Sequence, residues 1–193
     1  MKKIILASGS PRRKQLLEWA ALSFEIDIVK TDELFPPGLT TDEAAMYIAK
    51  NKALAVQQKR KTDEIIIAAD TLVILGENII GKPVHREEAI SMLLALSGET
   101  HRVTTGVAIL QGDKEILFAD STEVQFHTLS VKEIEFYVDQ FKPFDKAGAY
   151  GIQEWIGVVG IQSINGDFYN VMGLPVSKVL HYLKEDFDSP LNL

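Results

Sequence analysis

The run EIIIAADTLVIL, from Glu64 to Leu75, constrains the fold more than any other part of the chain. It is almost continuously apolar, rich in β-branched residues and bounded by turn signals, and it is far too short to span a membrane. Such a stretch predicts a strand buried on both faces, which needs layers packed on either side of a sheet. In its middle stands Asp70. An unpaired carboxylate there would be costly or would take up a proton. Either Asp70 is a satisfied structural acid at a strand end, or its surroundings suit a general base or a metal ligand.

The remaining pattern mixes strands and helices. Ile4-Ile5-Leu6 predicts a buried first strand, followed by a helix from Pro11 to about Ala21, with Ser10 as its cap. Phe24, Ile26 and Ile28 alternate with polar residues, the period of a half-buried strand. Thr40 and Glu43 form a capping box opening a helix through about Lys59, and Ser130 with Glu133 repeats the device before VKEIEFYVDQF. GENIIGKP reads as a hairpin turn and short return. Arg86 to Leu96 reads as a helix stopped by Gly98. HRVTTGVAIL, a QGDK turn and EILFADSTEVQFHTL predict a long antiparallel pair. WIGVVGIQSI reads as a further strand, ending in the hairpin signal Asn165-Gly166. Leu174-Pro175 opens a last helix to about Lys184, and the tail DFDSPLNL reads as loosely held. The sum is an α/β fold: a mixed twisted sheet with flanking helices, in a single domain over 1–193.

The formal net charge of −7 argues against a general nucleic-acid binder, and zero cysteines exclude disulfides and thiolate zinc sites. The apolar run after Met1 is too short for a signal peptide, so a cytoplasmic protein with no membrane partner is expected. Cations for an anionic ligand must therefore be gathered locally.

Arg12 and Arg13 stand in the first turn of a helix, where the dipole favours acids; a phosphate sharing that place would explain them. Lys52 falls on the apolar face marked by Ala45, Ile48, Ala49 and Val56. It is either a snorkelling lysine or an ammonium projecting into a polar site. Gly76 and Gly81-Lys82 fit the phosphate-loop spacing, but Pro83 replaces the Ser/Thr that ligates magnesium, so only Lys82 as a point charge survives. In FDKAGAYGIQEW, small residues surround Lys146 and Gln153, whose amide can read a base edge. His85, His101, His127 and His181 show no metal spacing, and Ser8 and Ser10 read as turn and cap residues. Cations Arg12, Arg13, Lys52, Lys82 and Lys146 with acids Asp70 and Glu33 suit a polyphosphate carrying magnesium.

The segments LASGSPRR, KNKA, AADTLVIL with GKP, LSGETHRVTTGVAI, DKAGAYGIQ and NVMGLP occur in that order from Ile4 to Leu183. Together they resemble the Maf family of nucleotide pyrophosphatases. The resemblance implies an elongated, two-lobed fold like that of inosine triphosphate pyrophosphatases, with a central cleft, and a homodimer. It implies hydrolysis of a nucleoside triphosphate to the monophosphate and pyrophosphate with a divalent metal, Mg2+ or Mn2+. Asp70 would be the base and a metal contact, with Glu33 as a second metal ligand. Arg12, Lys52 and Lys82 would hold the phosphates, and Arg12, Thr71 and Gln153 would tune substrate choice. DKAGAYGIQ resembles the subgroup acting on dTTP and UTP, which usually has glycine where this chain has Glu154. Rival readings are a pyrophosphatase of non-canonical purine nucleotides and a nucleotide-binding regulator linked to septum formation.

Overall fold

A computed structural model describes residues 3–61 and 63–187. Its sheet has seven strands in the order β2-β1-β3-β5-β6-β7, with β4 paired to β3. These are β1 (Ile4–Leu6), β2 (Phe24–Ile26), β3 (Ile65–Leu75), β4 (Asn78–Ile80), β5 (Thr100–Gln111), β6 (Lys114–Phe126) and β7 (Ile161–Asn165). β1 runs parallel to both β2 and β3, whereas β3–β4 and β6–β7 are antiparallel, so the sheet is mixed as expected. The helices are α1 (Pro11–Trp19), α2 (Thr41–Arg60), α3 (Arg86–Leu96), α4 (Val131–Phe141), α5 (Trp155–Gly160), α6 (Phe168–Val171) and α7 (Val176–Phe187). None is long and apolar enough to cross a membrane among the described residues.

The chain divides into two units: Met1–Thr71, Thr105–Asp120 and Gly173–Leu193 form the first, and Leu72–Thr104 with Ser121–Met172 the second. In the first, Ile5 and Ala7 of β1, Ile66 and Ala68 of β3, and Ala108 and Leu110 of β5 pack with Ala49, Ala53 and Val56 of α2. The alanines let α2 lie very close to the sheet. A Cβ on Gly106 would fall 2.2 Å from the Ala45 carbonyl carbon, so only glycine fits there. The Thr40–Glu43 capping box forms as read, with Glu43 Oε2 accepting from the Thr40 N–H at 2.8 Å. In the second unit α3 and α4 pack together, α4 opens on the Ser130–Glu133 capping box, and His101, Phe126 and Tyr150 stack as a buried aromatic group.

Four expectations need correction. The strand at Phe24 ends at Ile26, and Ile26 and Ile28 are 45% and 54% exposed, because β2 is an edge strand with a partner on one side only. Trp155–Gly160 is helical, and only Ile161–Asn165 is strand. Asn165-Gly166 is not a hairpin turn: β7 pairs back to β6, and the chain then enters α6, capped by Asp167 accepting from the Tyr169 N–H at 2.7 Å. The last helix runs on to Phe187, which is buried, so the start of the tail is held; residues 188–193 lie outside the described part.

Candidate active site

In the first unit β3 delivers Asp70 to the site. The strand is buried on both faces up to that residue, and Asp70 itself is only 7% exposed. Lys52 projects from α2, whose buried residues include Ile48, Ala49 and Val56. Its Nζ lies 2.6 Å from Asp70 Oδ1 and 2.7 Å from Glu33 Oε1. The Lys52 ammonium thus meets a buried acid on one side and an exposed one on the other. The contact fixes the direction of the Asp70 carboxylate and compensates its charge.

Arg12 and Arg13 part company. The Ser10 hydroxyl caps α1 by accepting from the Arg13 N–H at 3.4 Å. Arg12 stays half-buried at the helix start. The Arg13 side chain is buried, and its guanidinium donates to the Gly173 carbonyl at 2.8 Å, Ser8 Oγ at 3.1 Å and Thr71 Oγ1 at 3.0 Å. Thr71 Oγ1 lies in turn 3.0 Å from Thr105 Oγ1. Burial lowers the guanidinium pKa, and the nearby Asp70 charge opposes that. The sequence reading grouped Arg13 with the substrate cations. Here its fork ties α1, the middle of β3 and the start of the 173–176 segment together, because planar donors match three fixed acceptors.

The second unit holds Lys82, Lys146 and Gln153. Lys82 is exposed just after β4, and the Gly76-to-Lys82 spacing is taken up by the β3–β4 turn and β4 itself rather than by a phosphate loop. The Gly148 N–H donates to the Gly81 carbonyl at 3.0 Å, so the corner bearing Lys82 is tied to the loop bearing Gln153. That loop is tightly wound: Gly148 and Ala149 both take positive φ, +69° and +58°, the latter a conformation an alanine adopts only when its surroundings impose it. Gln153 is exposed, as a base-reading amide must be. Lys146 is not. Its side chain is 9% exposed, and Nζ lies 2.7 Å from Asp145 Oδ1 and 3.1 Å from Glu154 Oε1.

Sequence reasoning missed Tyr137, Thr105 and the Gly173 carbonyl. Tyr137 reads as one more apolar-face residue of α4, and a carbonyl leaves no sequence signal. Ser8 had been read only as a turn residue, yet its buried hydroxyl accepts from Arg13.

A divalent metal can be weighed against the donors present. Glu33 and Asp70, both hard-oxygen groups, meet on one ammonium, but no group of three or more His, Asp or Glu among the described residues is placed to hold an ion. Two carboxylates fit a magnesium- or manganese-type ion that completes its shell from phosphates and water rather than from a protein cage.

A buried aspartate paired to a lysine on a strand of the first unit has the parts of a hydrolytic site for an anionic ester or anhydride. The Maf-like protein family matches residues 3–186, and this chain belongs to that family. It is 53% identical over 190 residues to a dTTP/UTP pyrophosphatase of Cytophaga hutchinsonii, covering 98% of this chain and 87% of the relative. A dTTP/UTP pyrophosphatase of Parabacteroides distasonis is 48% identical, covering 94% of this chain and 95% of its own. One from Bacillus cereus is 46% identical, covering 96% of each. Among solved structures, a HAM1 protein from Coxiella burnetii overlaps 65% of this chain and 73% of its own at 17% identity, with a TM-score of 0.45.

Proposed function

We propose that this chain is a nucleoside triphosphate pyrophosphatase that hydrolyses dTTP and UTP to the monophosphate and pyrophosphate. The observation that carries the reading is the Lys52–Asp70 pair in the middle of β3, in a chain of the Maf family about half identical to named dTTP/UTP pyrophosphatases. Asp70 takes the proton from a water that attacks the α-phosphorus. The bond from that phosphorus to the oxygen bridging to the β-phosphorus breaks, and pyrophosphate leaves with its charge balanced by cations. Lys52 orients Asp70 and contributes positive charge toward the phosphates. Arg12 and Lys82 serve as phosphate cations, Thr71 and Gln153 as substrate-selecting groups. Magnesium or manganese, when bound with the nucleotide, would be held by Glu33 and Asp70 and would neutralise triphosphate charge.

The same reading makes the protein a homodimer working on the free nucleotides of the cytoplasm, with neither nucleic acid nor membrane as partner. Light scattering of the purified protein tests the dimer.

The deciding experiment is a nucleotide panel with magnesium or manganese, assaying pyrophosphate and orthophosphate separately, beside Asp70→Asn. Pyrophosphate from dTTP and UTP, lost in the variant while binding persists, is the expected result. Pyrophosphate mainly from ITP would keep the reaction and overturn the base choice. Tight binding without turnover of any nucleotide would favour a regulatory protein.

A further inference from the structure

The Glu154 carboxylate is the hub of a hydrogen-bonded network in the second unit. One oxygen takes the buried Lys146 ammonium at 3.1 Å; the other accepts from the Tyr137 hydroxyl of α4. That hydroxyl accepts in turn from the Gly151 N–H at 3.0 Å. The backbone closes the same circuit, with the Glu154 N–H donating to the Gly151 carbonyl at 2.9 Å. Gln153 therefore sits in a four-residue turn whose two ends are fastened to one tyrosine and one buried lysine. Burial and the neighbouring carboxylate hold the Tyr137 pKa well above the usual phenol range, so the hydroxyl remains a donor at any working pH. The buried Lys146 ammonium is shared between Glu154 and Asp145, whose Oδ1 lies 2.7 Å away, so Glu154 is held from the lysine side by a charged contact and from the tyrosine side by a hydrogen bond.

We propose that Glu154 is a positioning residue: by joining Lys146 to Tyr137 it fixes the turn from which Gln153 is presented, and so sharpens the choice of nucleotide base. This rests on the reading of Gln153 as a base-selecting group. An amide reads a base only if its donor and acceptor are held in place, and the exposed Gln153 side chain has its backbone fixed on both sides.

The test uses Glu154→Gln, which keeps the shape and removes the charge, and Tyr137→Phe, which cuts the circuit elsewhere and leaves Lys146 paired. Pyrophosphate release from dTTP, UTP and ITP gives kcat and KM, and hydrogen exchange reports on residues 151–154. In each variant the preference for dTTP over ITP is expected to fall about tenfold, carried by KM for dTTP, with kcat within about twofold. The double variant should lose less than the product of the singles, since both cut one network. Faster exchange at 151–154 with an unchanged preference would make Glu154 merely structural and overturn the proposal. If the unaltered protein releases pyrophosphate from no nucleotide, the functional reading fails separately. The preference is then read from the dissociation constants of dTTP and ITP: a fall of about tenfold in both variants supports the positioning role, and an unchanged ratio overturns it.

Discussion

The Lys52 ammonium lies within hydrogen-bonding distance of two acids of opposite setting, the buried Asp70 at 2.6 Å and the exposed Glu33 at 2.7 Å. One cation thus serves a strand acid and a loop acid together. Lys52→Met would leave two carboxylates facing each other without it, their repulsion disordering both. The expected result is a loss of about 10²-fold or more in kcat/KM for pyrophosphate release. Steady-state assays on the purified variant check this, and an undiminished rate would remove Lys52 from the site.

Arg13→Lys keeps a positive charge but not the fork. A single ammonium cannot meet the Gly173 carbonyl, Ser8 Oγ and Thr71 Oγ1 in the directions that the guanidinium serves. Each lost charged hydrogen bond is worth about 1.5–3 kcal/mol. A chain of this size is therefore expected to lose roughly 5 °C or more in melting temperature. Were Arg13 chiefly a phosphate ligand, the lysine would retain most stability, and salt would change KM instead. Calorimetry of the two proteins separates the cases.

His101 gives an acid-dependent stability with a definite sign. Burial pulls its pKa down from 6.5 to about 4, and the neutral ring lies 2.7 Å from the Tyr150 hydroxyl. An unfolded chain binds a proton on this histidine between those two values while the folded one does not. Its contribution is therefore whole above about pH 6.5 and is lost as pH falls toward 4, roughly 3 kcal/mol in all. His101→Gln keeps an amide for Tyr150 and removes the titration. Denaturant melts at pH 7 and pH 4.5 should show the variant losing less stability than the original across that interval.

Gly106→Ala tests how closely α2 lies on the sheet. The new methyl would meet backbone atoms of Ala45 and Met46 at 2.2–2.3 Å, which no side-chain rotation relieves. A loss of about 3 kcal/mol or more, or failure to accumulate folded protein, is expected. Gly81→Ala has nothing within 4 Å of its added carbon and serves as the comparison. Its unfolding midpoint should stay within about 0.5 kcal/mol of the original.

Signals confined to a few neighbouring residues were legible in the sequence. Both capping boxes and β3 formed where their residues promised, because a cap or a doubly buried strand is decided locally. Asp70 and Lys52 stood out for the same reason, each a charge where its own pattern called for an apolar residue. What was not legible depended on distant partners. WIGVVG has equal claims to strand and helix as a short apolar run, and it winds because the N–H groups of Gly157 and Val158 turn back to the Glu154 carbonyl at 3.0 and 3.3 Å. For Arg13 and Lys146, read from the sequence as candidate substrate cations, nothing in their neighbours reveals that the Gly173 carbonyl or Glu154 waits in the fold to receive them.

The hydrogen bond from the Gly148 N–H to the Gly81 carbonyl joins two backbone groups, so exchanging the side chain of Lys82 or Gln153 leaves both donor and acceptor in place. Point mutation can therefore rewrite Lys82 or Gln153 freely while the distance between the segments that carry them stays calibrated. Insertion or deletion in either segment is the change that breaks this calibration. Substrate choice on such a frame can drift by single letters over evolutionary time, whereas the lengths of the two segments must be inherited together.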